Sequence, residues 1–126
     1  MKLSNWMAAK AIVEVVFGIG FVLMPGTVAS IFGMTLDPGG ALMAQLFGTA
    51  FIFGSMVLWL ARNEPASDAA MRGIILAVVV TNAIGFLVTL MATLGGVWNM
   101  LGWLPVALYL VFGLGFAYFQ FGRQAA

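Results

Sequence analysis

Four long apolar runs, separated by breaks of Pro, Gly and charge, leave this chain little choice of fold. The first runs from about Trp6 to Met24 and stops at Pro25-Gly26. The second runs from Ala41 to Ala61, between Asp37-Pro38-Gly39-Gly40 and Arg62-Asn63-Glu64-Pro65. The third spans Ala69 to Leu94, opened by Ser67 or Asp68 as N-cap and closed by Gly95-Gly96. The fourth goes from Trp103 to about Phe121, with Pro105 tolerable in its first turn. Each is close to or above the roughly 20 residues that cross bilayer hydrocarbon as a helix. With 63% hydrophobic and 7% charged residues in a chain of 126, too little polar surface exists for a water-soluble domain. The expectation is an all-α fold: one transmembrane four-helix bundle over residues 1–126. Helices satisfy their own backbone groups, which lipid does not. Lys10 and Glu14 interrupt the first run, and Ala29-Ser30-Ile31 is not a small-x-small cleavage site. That run is therefore read as a retained helix rather than a leader.

Charge gives an orientation. Lys2 and Lys10 lie at the start of the first helix, Arg62 and Arg72 flank the second connection, and Arg123 closes the chain. The first and third connections hold no Lys or Arg. The positive-inside rule then predicts a multi-pass protein of the cell (inner or plasma) membrane with both termini cytoplasmic. Trp6 and Trp59 would mark the inner interface, and Trp98 and Trp103 the outer one. Within the long first connection, Thr27 to Gly33 reads as a short Thr-capped helix lying in the outer interface. A plain apolar loop among the headgroups is the alternative.

Without a hydrophobic drive between helices in lipid, small residues must provide close approach. The third helix carries one every fourth position, Gly73, Ala77, Thr81, Gly85, Thr89 and Thr93, on a line that winds around it. Phe-Gly-x-small-Phe recurs at Phe17–Phe21, Phe47–Phe51 and Phe112–Phe116, predicting contact notches at Gly18, Gly48 and Gly113. A faint two-hairpin repeat would explain the recurrence, and so would packing alone.

Ionisable and polar groups at membrane depth are the candidate functional residues. Glu14 lies eight residues after Trp6, about 12 Å along the helix and near the midplane. It reads either as half of a structural ion pair with Lys10 or Arg72, or as a proton- or ligand-handling group. Asn82 falls near mid-depth and Gln45, Thr49 and Tyr109 in the outer half; together they form either a small polar pocket opening outward or a set of interhelical hydrogen bonds. The chain has no Cys and no His. It has no metal-ligating cluster, no paired intramembrane carboxylates and no nucleophile with a recognisable base, so no catalytic residue is assigned. No cofactor is implied, and a formal net charge of +1 gives no reason to expect a nucleic-acid partner.

Two resemblances follow from particular residues. Gly20 through Leu23-Met24-Pro25, Phe32-Gly33, Gly40 and Leu46-Phe47-Gly48 resembles small four-helix membrane proteins of the broad DoxX-like type. So does Leu101-Gly102-Trp103 through Leu108-Tyr109-Leu110 to Phe116-Ala117-Tyr118. That likeness covers most of the chain and implies the four-helix fold; the group has no settled activity to carry over. A basic residue is expected in some of its members where this chain has Gln45. Separately, Ala11-Ile12-Val13-Glu14-Val15 looks like the first helix of small multidrug resistance transporters, which implies a glutamate exchanging protons for cationic drugs. Lys10, the long first connection and the stretch from Thr81 to Thr93 depart from that family's pattern.

The expected function is non-catalytic: an accessory subunit, or a module that binds lipid or a small hydrophobic molecule. Its partners would be the bilayer and other membrane subunits or a second copy. The alternative is a proton-coupled small transporter using Glu14, and a weaker third is an intramembrane enzyme acting on a lipid-soluble substrate such as a quinone.

Overall fold

Proline and capping residues set the helix starts. In a computed structural model, which describes residues 2–122, α1 spans Leu3–Leu23 and α2 spans Pro25–Ile31, with Pro25 in its first turn. Helix α3 spans Pro38–Ala61, α4 spans Ala69–Leu94, and a single 3-10 turn at Met100–Gly102 leads into α5, Trp103–Ala117. Beyond α5 the chain widens into a π turn, Tyr118–Gly122. Helix α3 starts three residues before the expected boundary. Asp37 caps it by accepting from the Gly40 amide, and Pro38 loses nothing by lacking an N–H in the first turn. Asp68 caps α4, accepting from the Ala70 and Met71 amides at 2.9 and 3.1 Å.

Two glycines with positive φ close helices. Gly96 (φ 72°) follows α4, and Val97 N–H returns to the Ala92 carbonyl at 3.0 Å. Gly33 (φ 76°) follows α2, and Met34 N–H returns to Ala29 at 2.9 Å. Both are Schellman endings, which need the left-handed conformation that glycine adopts freely. The short helix thus ends at Gly33 as expected, but Thr27 does not cap it. Pro25 extends it backwards, and Thr27 instead gives its carbonyl to the Ser30 hydroxyl at 2.7 Å.

Four helices are long and apolar enough to cross a membrane: α1, α3, α4, and the unit from the 3-10 turn through the π turn. Large side chains point outward along their length, with Leu60 73% and Met91 72% exposed. Such surface suits hydrocarbon and would aggregate in water.

The helices pair as α1 with α3 and as α4 with α5. In the first pair, the two Phe-Gly motifs face one another. A Cβ on Gly48 would stand 2.7 Å from the Gly18 carbonyl oxygen, and one on Gly18 would stand 2.9 Å from the Gly48 carbonyl oxygen. The Phe21 and Phe47 rings cross the seam edge to face at 5.4 Å. The third copy of the motif behaves differently. Gly113 is no close-approach notch, since a Cβ there would meet only Asn82 Cβ at an ordinary 3.4 Å. The tight position is Gly115, whose missing side chain admits the Trp6 ring. That ring stands edge-on to Phe112 and Phe116 at 6.1 and 6.4 Å. Trp6 is therefore a packing residue between α1 and α5. Trp98 also folds inward, whereas Trp59 and Trp103 project.

The first and last described residues, Lys2 and Gly122, lie at one end of the bundle, where Leu3 and Phe119 share a core. That end holds the core: Leu3, Met7 and Ala11 of α1, Leu58 of α3, Met71, Ile75 and Val78 of α4, Phe112 and Phe116 of α5, and Phe119. Lys2, Arg62 and Arg72 cluster there; Arg123 lies outside the described residues. Lys10 does not belong to that group. It is 6% exposed and inside the bundle, so it counts as an intramembrane cation and not as a flanking charge. The small-residue line of α4 winds as expected, with Gly73 against open space and Gly85 and Thr89 turned inward.

Candidate functional site

Pairing α1 with α3 and α4 with α5 leaves a space between the pairs. Although consecutive in sequence, α3 and α4 barely touch. The result is a cavity of about 620 Å³ in the half of the bundle away from the termini, within the usual range of ligand pockets. Phe17 and Phe21 of α1, Phe51 of α3 and Leu108 of α5 wall it. Its rim on the open side carries Phe47, Ile84 and Val88, the last 60% exposed. The opening thus faces sideways, where hydrocarbon would lie.

The roof is α2 and the connection from α4 to α5. Ala29, Phe32, Met34 and Trp98 line the cavity from that side. Asn99 ties the two segments together: its amide N–H donates to the Phe32 carbonyl at 2.8 Å and its side-chain Nδ2 to the Ile31 carbonyl at 3.0 Å. The Asn99 Oδ1 accepts from the Leu101 amide and so opens the 3-10 turn. Trp98 packs on Phe32 with ring centroids 5.4 Å apart, and its indole N–H donates to the Thr93 hydroxyl at 2.8 Å. Gly102 leaves the room that the Trp98 ring fills.

The closed end is polar. Lys10 Nζ lies 2.7 Å from Glu14 Oε1, one helical turn apart, and 5.4 Å from the centroid of the Phe112 ring. Gly54 of α3 makes room for the carboxylate; a Cβ there would come within 2.9 Å of Glu14 Oε2. Asn82 donates from Nδ2 to the Val78 carbonyl at 2.7 Å. Tyr109 lies across α4 at Gly85, and any side chain at that position would collide with its ring. Behind this floor the core closes the bundle toward the termini, with Met7 and Phe116 at 0% exposure. A second apolar groove of about 350 Å³ on the outside of α1 and α3, near Ile12 and Trp59, has no charged lining residue.

The polar residues singled out from sequence divide into two groups. Glu14, Asn82 and Tyr109 do meet at the cavity, with Lys10 beside them. Gln45 and Thr49 do not. The face of α3 turned to the cavity carries Phe47, Ala50, Phe51 and Gly54. Gln45 instead donates to the Val22 carbonyl at 3.1 Å, which satisfies an open group at the end of α1. Thr49 bonds back to the Gln45 carbonyl in its own helix at 3.0 Å, as Thr81, Thr89 and Thr93 do in α4. Arg72 is exposed at the start of α4 and makes no ion pair among the described residues, so Lys10 is the partner of Glu14. The sequence reading overlooked Asn99 and Gly54. An Asn after a Gly-Gly helix end is a turn signal for Asn99, whereas nothing local distinguishes Gly54 from other glycines in the spans.

Chemically, the arrangement is an apolar shaft ending in hydrogen-bonding groups around a neutralised ion pair. That suits an amphiphile entering head first. Compared with protein-family models, with curated proteins and with solved structures, the chain has no significant match.

Proposed function

We propose that this protein is a non-catalytic membrane module that holds a lipid or other small hydrophobic molecule. It would act alone or as an accessory subunit of a larger assembly, as the DoxX-like resemblance also allows. The observation that carries the reading is the 620 Å³ cavity with apolar walls and a Lys10–Glu14–Asn82–Tyr109 floor, open sideways where α3 and α4 part. In the proposed orientation Lys2, Arg62 and Arg72 face the cytoplasm. The cavity then draws on the outer leaflet of the cell membrane. Native mass spectrometry of the detergent-purified protein tests the idea. One lipid should stay bound, and Ala50→Trp on the rim should displace it without loss of helicity. Equal lipid retention by the parent and Ala50→Trp would refute it.

A proton-coupled transporter is the second reading, and the free Glu14 Oε2 is the feature in its favour. Lys10 on the same carboxylate and the packed core toward the termini weigh for binding instead. Transport requires that Glu14→Gln abolish pH-driven uptake in proteoliposomes. No such dependence is expected.

A further inference from the structure

Donors that a ligand in the cavity can reach are few. Thr81 and Thr89 give their protons to carbonyls of their own helix. The Trp98 indole N–H is taken by Thr93, and Asn82 is 1% exposed with its amide on Val78. Two donors are left. The Tyr109 hydroxyl belongs to a half-buried side chain in the lining and makes no hydrogen bond among the described residues. Lys10, also in the lining, gives one N–H to Glu14 and keeps others. The two share one corner: Lys10 Nζ stands 5.4 Å from the centre of the Phe112 ring, and Tyr109 lies one turn before Phe112 on α5. Acceptors, by contrast, are closed off. Glu14 Oε1 is held by Lys10, while Glu14 Oε2 and Asn82 Oδ1 have no donor but are covered by the protein's own atoms. A head group meeting this floor must therefore accept.

Depth and charge narrow the class. Glu14 sits near the middle of the 21-residue α1, so a head that reaches it leaves the membrane surface for the hydrocarbon. A phosphate or an ammonium would lose its hydration on the way. A carboxylate would also face Glu14, and an ammonium would face Lys10. A hydroxyl brings a proton of its own, with only the already engaged Thr81 and Thr89 oxygens to take it. A carbonyl brings neither proton nor charge, and its two lone pairs match the two donors. Size sets the rest. At about 30 Å³ for each non-hydrogen atom, comparable to a water molecule, the cavity holds about 20 such atoms, which is one chain. We propose that the cavity takes a neutral long-chain carbonyl compound, of the fatty ester or ketone type. Its oxygen accepts from Tyr109 and Lys10, and its chain runs to the opening between α3 and α4. This assignment rests on the binding reading above and specifies its ligand.

The test is a titration of parent and Tyr109→Phe in phosphatidylcholine nanodiscs with methyl oleate, the hydrocarbon of equal length, oleyl alcohol, oleate and oleylamine. Each competes with a fluorescent hydrocarbon probe, and the ratio between the two proteins cancels partitioning into the bilayer. Tyr109→Phe keeps the ring against Gly85 and removes only the hydroxyl. It should weaken methyl oleate about five-fold and leave the hydrocarbon unchanged, the latter reporting an intact cavity. In the parent, methyl oleate should bind more tightly than the alcohol, oleate and the amine at equal bilayer mole fraction. Methyl oleate indifferent to Tyr109→Phe, or tighter binding of any of those three, overturns the head-group assignment while the cavity remains a lipid site. Equal loss of ester and hydrocarbon in Tyr109→Phe makes Tyr109 a wall and not an anchor, and overturns it too. If none of the five displaces the probe from the parent, the binding reading falls with it.

Discussion

Replacing Gly18 and Gly48 by alanine, singly and together, probes the seam that fixes one wall of the cavity. On Gly48 the new Cβ would stand 2.7 Å from a backbone oxygen of α1, and on Gly18 2.9 Å from one of α3. Ordinary contact begins near the 3.4 Å found at Gly113, so the pair must part by about half an ångström or more. Overpacking against backbone costs about 1–3 kcal/mol. Alanine also gains about 1 kcal/mol in helix propensity over glycine. That gain is common to Gly113→Ala, which meets no backbone, and the comparison cancels it. Gly18→Ala and Gly48→Ala should each be about 2 kcal/mol less stable than Gly113→Ala. The double variant should lose less than the two single losses combined, because one separation relieves both contacts. Reversible unfolding in mixed micelles measures all four proteins. If Gly18→Ala and Gly48→Ala unfold like Gly113→Ala, the close α1–α3 approach is not what holds this pair.

Three further outcomes follow from the geometry. Lys10→Met leaves Glu14 in the bundle without its cation and should cost about 3–5 kcal/mol in the same unfolding assay, most of it recovered by adding Glu14→Leu. Asn99→Ala removes the side-chain bond to Ile31 that helps hold α2 over the cavity; exchange of the Gly33 and Met34 amides should quicken about five-fold, with the α1 amides unaffected. Asp68→Ala removes the α4 cap and should destabilise by about 1 kcal/mol, with Asp68→Asn close to the parent.

The spans were legible because helix boundaries are written in local chemistry. Pro25-Gly26 and Gly95-Gly96 stop helices, and Asp68 starts one. The same chemistry was misread at Asp37-Pro38-Gly39-Gly40. The glycines suggested a turn, but an Asp cap before a first-turn proline is a helix start. The Lys10–Glu14 pair was legible because i,i+4 neighbours meet on any helix. Helix pairing was not. In lipid both inward and outward faces are apolar, so periodicity cannot tell which side of α3 turns to α1. For Gln45 and Thr49 the pocket and the interhelical hydrogen bond are both open from sequence; Gln45 makes the hydrogen bond, to Val22 of α1, while Phe47, Phe51 and Gly54 line the pocket. The three Phe-Gly motifs looked equivalent, yet the third uses Gly115 because its neighbour across the seam is a tryptophan.

The opening between α3 and α4 is the feature on which ligand binding depends. It can be seen directly by determining the structure in nanodiscs made with a bromine-labelled single-chain lipid. Bromine should lie between the two helices, with the head of that chain at the polar end of the cavity near Glu14 and Tyr109. A map with α3 and α4 packed together, Phe47 touching Val88 and no chain between them, would contradict it.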